Sequence, residues 1–221
     1  MFNQNRSTPD QIAPGLHLEF NSLAQGNLIA HNYCESPSSL SSRYGVGGLS
    51  INQNCTALEN TIVGNIIDAG GVSYQYGAGV VITHDTALFY ENIIYGNKLE
   101  NGINPVTQIA QHASSDVSAP NNWFGTTVTS EIDDMIWDFY DDPDNYPGKL
   151  LYTPIATGPI AAAPPVLVSI SLDPTSPVGA ETVEFTLTFS KPMDTSVDPL
   201  VTFGITDPFT QHQIDGSWTI P

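Results

Sequence analysis

Apolar residues in the first half of the chain come in short alternating runs, Leu16/Leu18/Phe20, Leu49/Ile51 and Val80/Ile82. Alternation with period two predicts half-buried strands, and the Gly, Ser and Asn clusters between the runs predict turns. No amphipathic stretch of helical length interrupts them. The strands belong to a repeat. Asn27-Leu28-Ile29-Ala30-His31-Asn32 returns as Asn60-Thr61-Ile62-Val63-Gly64-Asn65 and again as Asn92-Ile93-Ile94-Tyr95-Gly96-Asn97, at offsets of 33 and 32 residues. A second element, Tyr44-Gly45-Val46-Gly47 and Tyr76-Gly77-Ala78-Gly79, keeps the same period. A helical repeat of this length would need two helices per unit, and these units contain none. The pattern predicts short parallel strands wound one coil per repeat, with equivalent residues stacked about 4.8 Å apart. Asn32, Asn65 and Asn97 should form an amide ladder at a bend, and Ile29, Ile62 and Ile94 an inward apolar column.

The pattern changes twice further on. Within residues 130–141, Ile132, Met135, Ile136, Phe139 and Tyr140 fall on one helical face, with Ser130 as N-cap and Pro143 as stop. This predicts a helix that plugs the end of the solenoid. Lys149 to Pro154 then reads as a short returning strand. Residues 158–165 are small residues and prolines without charge, the composition of a linker. Beyond it, Val183, Phe185, Leu187 and Phe189 alternate with Glu184, Thr186 and Thr188, which predicts antiparallel strands. The domain reading is therefore 1–157, linker 158–165, and a second module at 166–221.

Charge narrows the partners. The 221 residues carry 23 acidic and 5 basic side chains, a net charge of -18. So few cations argue against nucleic acid and against an anionic membrane surface. No apolar run is long enough to span a membrane, and the first twenty residues lack the features of a signal peptide. Either the protein is cytosolic or its export signal lies on a longer parent chain. Cys34 and Cys55 form neither a disulfide framework nor a zinc site. A single bridge or two buried thiols both fit.

The repeats resemble those of right-handed parallel β-helix proteins of the pectin-lyase-like superfamily, over roughly residues 10–157. Asn121-Asn122-Trp123-Phe124-Gly125 adds to the likeness, since a similar element commonly follows the last coils of bacterial β-helix surface proteins; Phe124 stands where a second tryptophan is usual. Residues 186–194 and 201–204 resemble a bacterial immunoglobulin-like domain of multi-domain surface proteins. At 57 residues, 165–221 is shorter than the roughly 100 of a full sandwich, which suggests a fragment of a larger protein. The resemblance implies an all-β chain, a β-helix with a short helical cap followed by a partial sandwich, at a bacterial cell surface or outside the cell.

Enzymes of that fold mostly cleave acidic polysaccharides. A lyase needs a cationic base and usually calcium, yet Arg43 and Lys98 are the only cations of the repeats, and a charge of -18 repels a polyuronate. A hydrolase needs two spaced carboxylates. Asp68, Asp85 and Glu91 are candidates, and His84 beside Asp85 is a conceivable proton-transfer pair. No Asp-Asp pair or His-Gly-Arg motif of the polygalacturonase kind is present. Asp138, Asp141, Asp142, Asp144 and Asn145 are rich in oxygen, but their spacing is not that of an EF-hand. Solvated acid is the simpler reading, and no cofactor is expected, calcium being the one alternative.

Binding fits better. Tyr33, Tyr44, Tyr74, Tyr76 and Tyr95 lie in or beside the loops, and Tyr44 should stack on Tyr76. Exposed aromatics flanked by Asn and Gln can hold sugar rings. Tyr44, Tyr74, Tyr76 and Arg43 are the expected binding residues. The sequence reading is a non-catalytic, monomeric recognition or spacer element for a glycan or cell-surface polysaccharide. The alternative is the C-terminal part of a polysaccharide lyase or hydrolase whose catalytic coils lie upstream.

Overall fold

The computed structural model describes residues 15–35, 47–68, 77–101, 106–173 and 182–218, and the backbone of 2–3 and 6–7. The chain divides into two compact units, Met1–Val166 and Leu167–Pro221.

The first unit is a parallel β-solenoid of about four turns. Strands β1 (Phe2–Asn3) and β2 (Arg6–Ser7) precede the first full coil, β3 (Leu16–Leu18), β4 (Leu23–Gln25), β5 (Leu28–Ala30) and β6 (Tyr33–Glu35). The second coil is β7 (Leu49–Ile51), β8 (Thr56–Leu58), β9 (Thr61–Val63) and β10 (Ile66–Asp68). The third is β11 (Val80–Ile82), β12 (Leu88–Tyr90), β13 (Ile93–Tyr95) and β14 (Lys98–Glu100). After them come β15 (Ile109–Gln111), β16 (Val117–Ser118), the helix α1 (Thr129–Asp134), β17 (Ile136–Trp137) and β18 (Leu150–Leu151).

Equivalent strands pair in register into four parallel sheets. Sheet A runs β1-β5-β9-β13, sheet B β14-β10-β6-β2, sheet C β17-β15-β11-β7-β3 and sheet D β12-β8-β4. In sheet A the middle residue of each three-residue strand turns in and its neighbours out, whereas in sheet C the two end residues turn in. Ile29, Ile62 and Ile94 are therefore the inward column of sheet A, each fully buried, as the repeat predicts. Leu49, Val80 and Ile109 do the same for sheet C. Cys34 stacks with Ile67 and Leu99 inside sheet B, Cys55 lies in the main core, and both are free thiols.

The amide ladder is present. Asn32 donates its Nδ2–H to Asn65 Oδ1 at 2.8 Å, and Asn65 does the same to Asn97 at 2.8 Å. Each acceptor oxygen also takes the backbone N–H of the preceding rung, and Asn65 and Asn97 donate to the carbonyls of Ile29 and Ile62. These buried polar groups are thus satisfied, which is the condition for holding them in a core. A second ladder, Asn27-Asn60-Asn92-Asn122, uses the other asparagine of the same motif, with links of 3.0–3.1 Å. Before each ladder residue the chain turns a corner at positive φ. At one corner this falls on His31, Gly64 and Gly96, at the other on Gly26, Glu59, Glu91 and Asn121.

The predicted helix over 130–141 is a correction. It spans only Thr129–Asp134, its N-cap is Val128 without a side-chain cap bond, and Ser130 lies inside it. Ile136 and Trp137 leave it to add a strand to sheet C, pairing with Ile109 and Ala110. Sheet hydrogen bonds on the exposed edge of β15 outcompete one more helical turn. Ile132 still enters the core beside Ile136. Phe20, the last residue of the first alternating run, lies past the strand and is 65% exposed at a turn.

Residues 158–165 are not a free tether within this unit. Ile160, Ala163 and Val166 pack on the outer face of sheet A against Ala30, Val63 and Ile93, and Pro164 O accepts the Thr61 hydroxyl at 2.5 Å.

The second unit has two separate antiparallel pairs, β19 (Leu167–Asp173) with β20 (Glu184–Phe189), and β21 (Leu200–Phe203) with β22 (His212–Asp215). None of its described residues is buried. Antiparallel strands are there; the described residues form no closed sandwich core.

Candidate functional site

Arg43, Tyr44, Tyr74 and Tyr76, the expected binding residues, lie outside the described residues. Of the remaining tyrosines, Tyr33 is half-buried at the start of β6, and Tyr95 packs with Trp123 against the apolar cluster that Ile160 and Val166 cover.

His84 and Asp85 do meet. His84 Nδ1 stands 3.0 Å from Asp85 Oδ1, with both side chains about one-third exposed. The same nitrogen is 3.0 Å from Thr86 Oγ1 and accepts the Thr86 N–H at 3.3 Å, while Thr86 Oγ1 accepts the Asn54 N–H at 2.9 Å. Nδ1 cannot donate to Asp85 and accept from Thr86 in one tautomer, so these contacts compete. The arrangement closes a turn and ties it to the coil below. Among the described residues no second carboxylate is paired with it.

Asp68 stands in an outward acidic column of sheet B with Glu35 and Glu100 in the neighbouring coils. Asn101 donates to Asp68 at 2.9 Å, and Lys98 pairs with Glu100 at 2.8 Å. No group of three potential metal ligands converges among the described residues.

The acidic stretch after α1 was expected to be solvated, and Asp138 corrects that. It is buried, its Oδ2 accepting the Leu150 N–H at 2.8 Å and its Oδ1 the Tyr140 N–H at 2.9 Å. The carboxylate holds β18 to the preceding loop. Partial burial raises the Asp141 carboxyl above its ordinary value, and the negative Asp138 and Asp134 add to this. Tyr152 is pushed up to about 12 by burial and by its hydrogen bond to Asp133.

Glu91 was legible only as one of three loose carboxylates. The structure places it at a corner with φ +55°, in the stack Gly26, Glu59, Glu91, Asn121. Beside that corner the chain returns: Pro154 O accepts the Asn121 N–H at 2.6 Å, and Ala156 donates to Asn122 O at 3.2 Å. Residues 157–161 then cross toward sheet A, leaving a groove of about 470 Å³ lined by Glu91, Asn121 and the chain from Ala156 to Ala161. The sequence signal that could have found it is the residue before each ladder asparagine, where Gly gives way to Glu. The chain matches no family model, no curated protein and no solved structure.

Proposed function

We propose that the chain is a non-catalytic recognition or spacer element of a secreted or cell-surface bacterial protein, with the solenoid as a rigid glycan-binding rod and the C-terminal strands as part of an immunoglobulin-like stalk. The observation that carries this reading is the pair of satisfied amide ladders. They fix successive coils at one spacing, so outward side chains form a periodic array against which a periodic polymer can lie. The net charge of -18 favours a neutral glycan over a polyuronate. The resemblance of the repeats to pectin-lyase-like proteins fits a polysaccharide partner, and the net charge of -18 fits a monomer that binds neither nucleic acid nor anionic membrane. The test is binding of the 221-residue chain to an array of neutral and acidic glycans, with reducing-end release assayed in parallel. Retention on neutral glycans without cleavage is expected. Turnover of any polysaccharide, lost in His84→Ala or Asp85→Asn, would instead support the enzyme reading.

A further inference from the structure

The geometry points to the groove between the Glu91–Asn121 corner and the crossing segment 157–161 as the place where a neutral glycan is held; this rests on the glycan-recognition reading above and gives it a site. Three observations converge there. The first is the groove itself, open to solvent and about 470 Å³ in volume.

The second is conformational. The corner position takes positive φ in every coil, and Gly26 shows the residue that does so without strain. Glutamate at φ +55° costs about 1–2 kcal/mol relative to that. Glu59, one coil back, has a local use for its side chain, accepting the Gln25 amide at 2.7 Å. Glu91 makes no side-chain hydrogen bond to any described residue, and it lines the groove. The corner imposes the positive φ, and unlike Glu59 the Glu91 side chain is left available for a ligand.

The third is the chemistry of the lining. A carboxylate accepts from two adjacent hydroxyls, the Asn121 amide both donates and accepts, and Thr157 adds a hydroxyl. Ala156, Pro159 and Ile160 supply an apolar wall for the C–H face of a sugar ring. One carboxylate among these groups is too few hard oxygen donors for a calcium site, which takes six to eight. An anionic ligand would be repelled by Glu91 itself.

The groove can be altered without disturbing the fold. A Cβ added at Gly158 meets no atom within 4 Å, so Gly158→Leu fills open space. Glu91→Gly removes the carboxylate and relaxes the corner. Glu59→Gly relaxes the neighbouring corner and is the control. Binding of soluble neutral oligosaccharides (glucan, mannan, galactan and xylan series) would be read by saturation-transfer NMR and calorimetry, with spermidine and calcium chloride as competing arms, and each variant's melting curve recorded. Glu91→Gly and Gly158→Leu should each weaken glycan binding about tenfold or more, with melting temperatures equal to or above the parent's. Glu59→Gly should bind as the parent does. If a glycan binds the parent and all three variants equally, the groove is overturned while glycan recognition stands. If no neutral oligosaccharide binds the parent, the recognition reading fails and the groove with it. Binding of spermidine or calcium that is lost in Glu91→Gly, without glycan binding, would overturn the sugar assignment.

Discussion

The solenoid and the C-terminal unit are written in much the same residues, yet they bury them very differently. Ile29, Ile62 and Ile94 are wholly inside the first, whereas Ile170 is 58% and Ile205 95% exposed in the second. Strand propensity does not separate them. A coil gives its neighbour both a hydrogen-bonding edge and a surface to stack on, so every added coil buries the one before. An antiparallel pair satisfies its inner edges but leaves both faces open unless a second sheet covers them. Phe185 and Phe203, at 41% exposure each and 6.2 Å between ring centroids, touch without making an interior. Burial here is a property of repetition in register.

The strongest way to break this contrast is to remove one rung. Asn65→Ala strips the acceptor of two Asn32 donors and leaves the Asn97 oxygen and the Ile29 carbonyl short of a donor. Leaving several buried polar groups unpaired should cost about 3–5 kcal/mol in urea unfolding of the solenoid. A loss under about 1 kcal/mol would mean that the ladder is incidental to stability.

Next in size is a matched pair. Ile62→Ala, in the fully buried column, should cost about 2–5 kcal/mol. Ile170→Ala should stay within about 0.5 kcal/mol of the parent, as surface changes do. Hydrogen exchange sharpens the same comparison: amides of β7–β14 should be protected to the level of global unfolding, and those of β19–β22 should exchange much faster. Comparable protection in both units would remove the distinction.

Smaller effects probe the corners. Gly64 and Gly96 both sit at positive φ, but a Cβ on Gly64 would lie 2.7 Å from His31 Nδ1, while one on Gly96 meets nothing. Gly96→Ala should cost about 1 kcal/mol from backbone strain alone. Gly64→Ala should cost more, and its excess should vanish when His31 is also changed to Ala. Equal costs in both single variants would show that the His31 ring moves aside freely.

The least effect comes from pH at the solenoid's later end. Tyr152 is pushed up to about 12, above its ordinary value of 10.0. Its stabilising contribution is present below the ordinary value and fades as pH rises through about 12. Tyr152→Phe should flatten that alkaline decline. Asp141, also raised, stabilises the fold when protonated and loses this as pH climbs through its raised value, so Asp141→Asn should be slightly more stable at neutral pH. A drop in stability for Asp141→Asn at neutral pH would show that the hydrogen bond it accepts from the Asp138 N–H outweighs the repulsion.

The solenoid was legible because one motif, repeated at 33 and 32 residues, carries both the inward isoleucine and the ladder asparagine. The second ladder lay in the same motif, and its last rung, Asn122, falls 30 residues on from Asn92. The rung after Asn97 was not readable. It is Gln108, only 11 residues away, whose Oε1 accepts the Asn97 amide at 2.8 Å. Gln108 stands just before β15, so this rung is supplied from the start of the next coil and not by the repeated motif. The helix was overextended because Ile132 and Ile136 point into one core from a helix and a strand, which imitates helical spacing. The packed segment 158–165 was hidden by composition, since alanine and proline advertise no period whether free or docked. Of the candidate site, Glu91 was visible as a carboxylate, but its groove depends on the return of residues 156–161, a contact with no local sequence mark.

The ladders also govern how such a chain can change in length. Every rung passes the same bond forward, side-chain N–H toward the later coil and oxygen toward the earlier, so rungs are interchangeable as links. The inner rungs also donate to carbonyls of the coil before; at Gln108 and Asn122 the amide nitrogens make carbonyl bonds alone, to Asn97 and Val106 for one and to Phe89 and Ala119 for the other. Duplication or loss of a whole repeat inside the stack leaves each junction chemically identical. A one-residue insertion between corner and asparagine turns a ladder side chain to the wrong face and breaks two links at once. An insertion or deletion that keeps every ladder bond is therefore one whole coil, and the ladders end at Gln108 and Asn122 while strands β17 and β18 still stack beyond them.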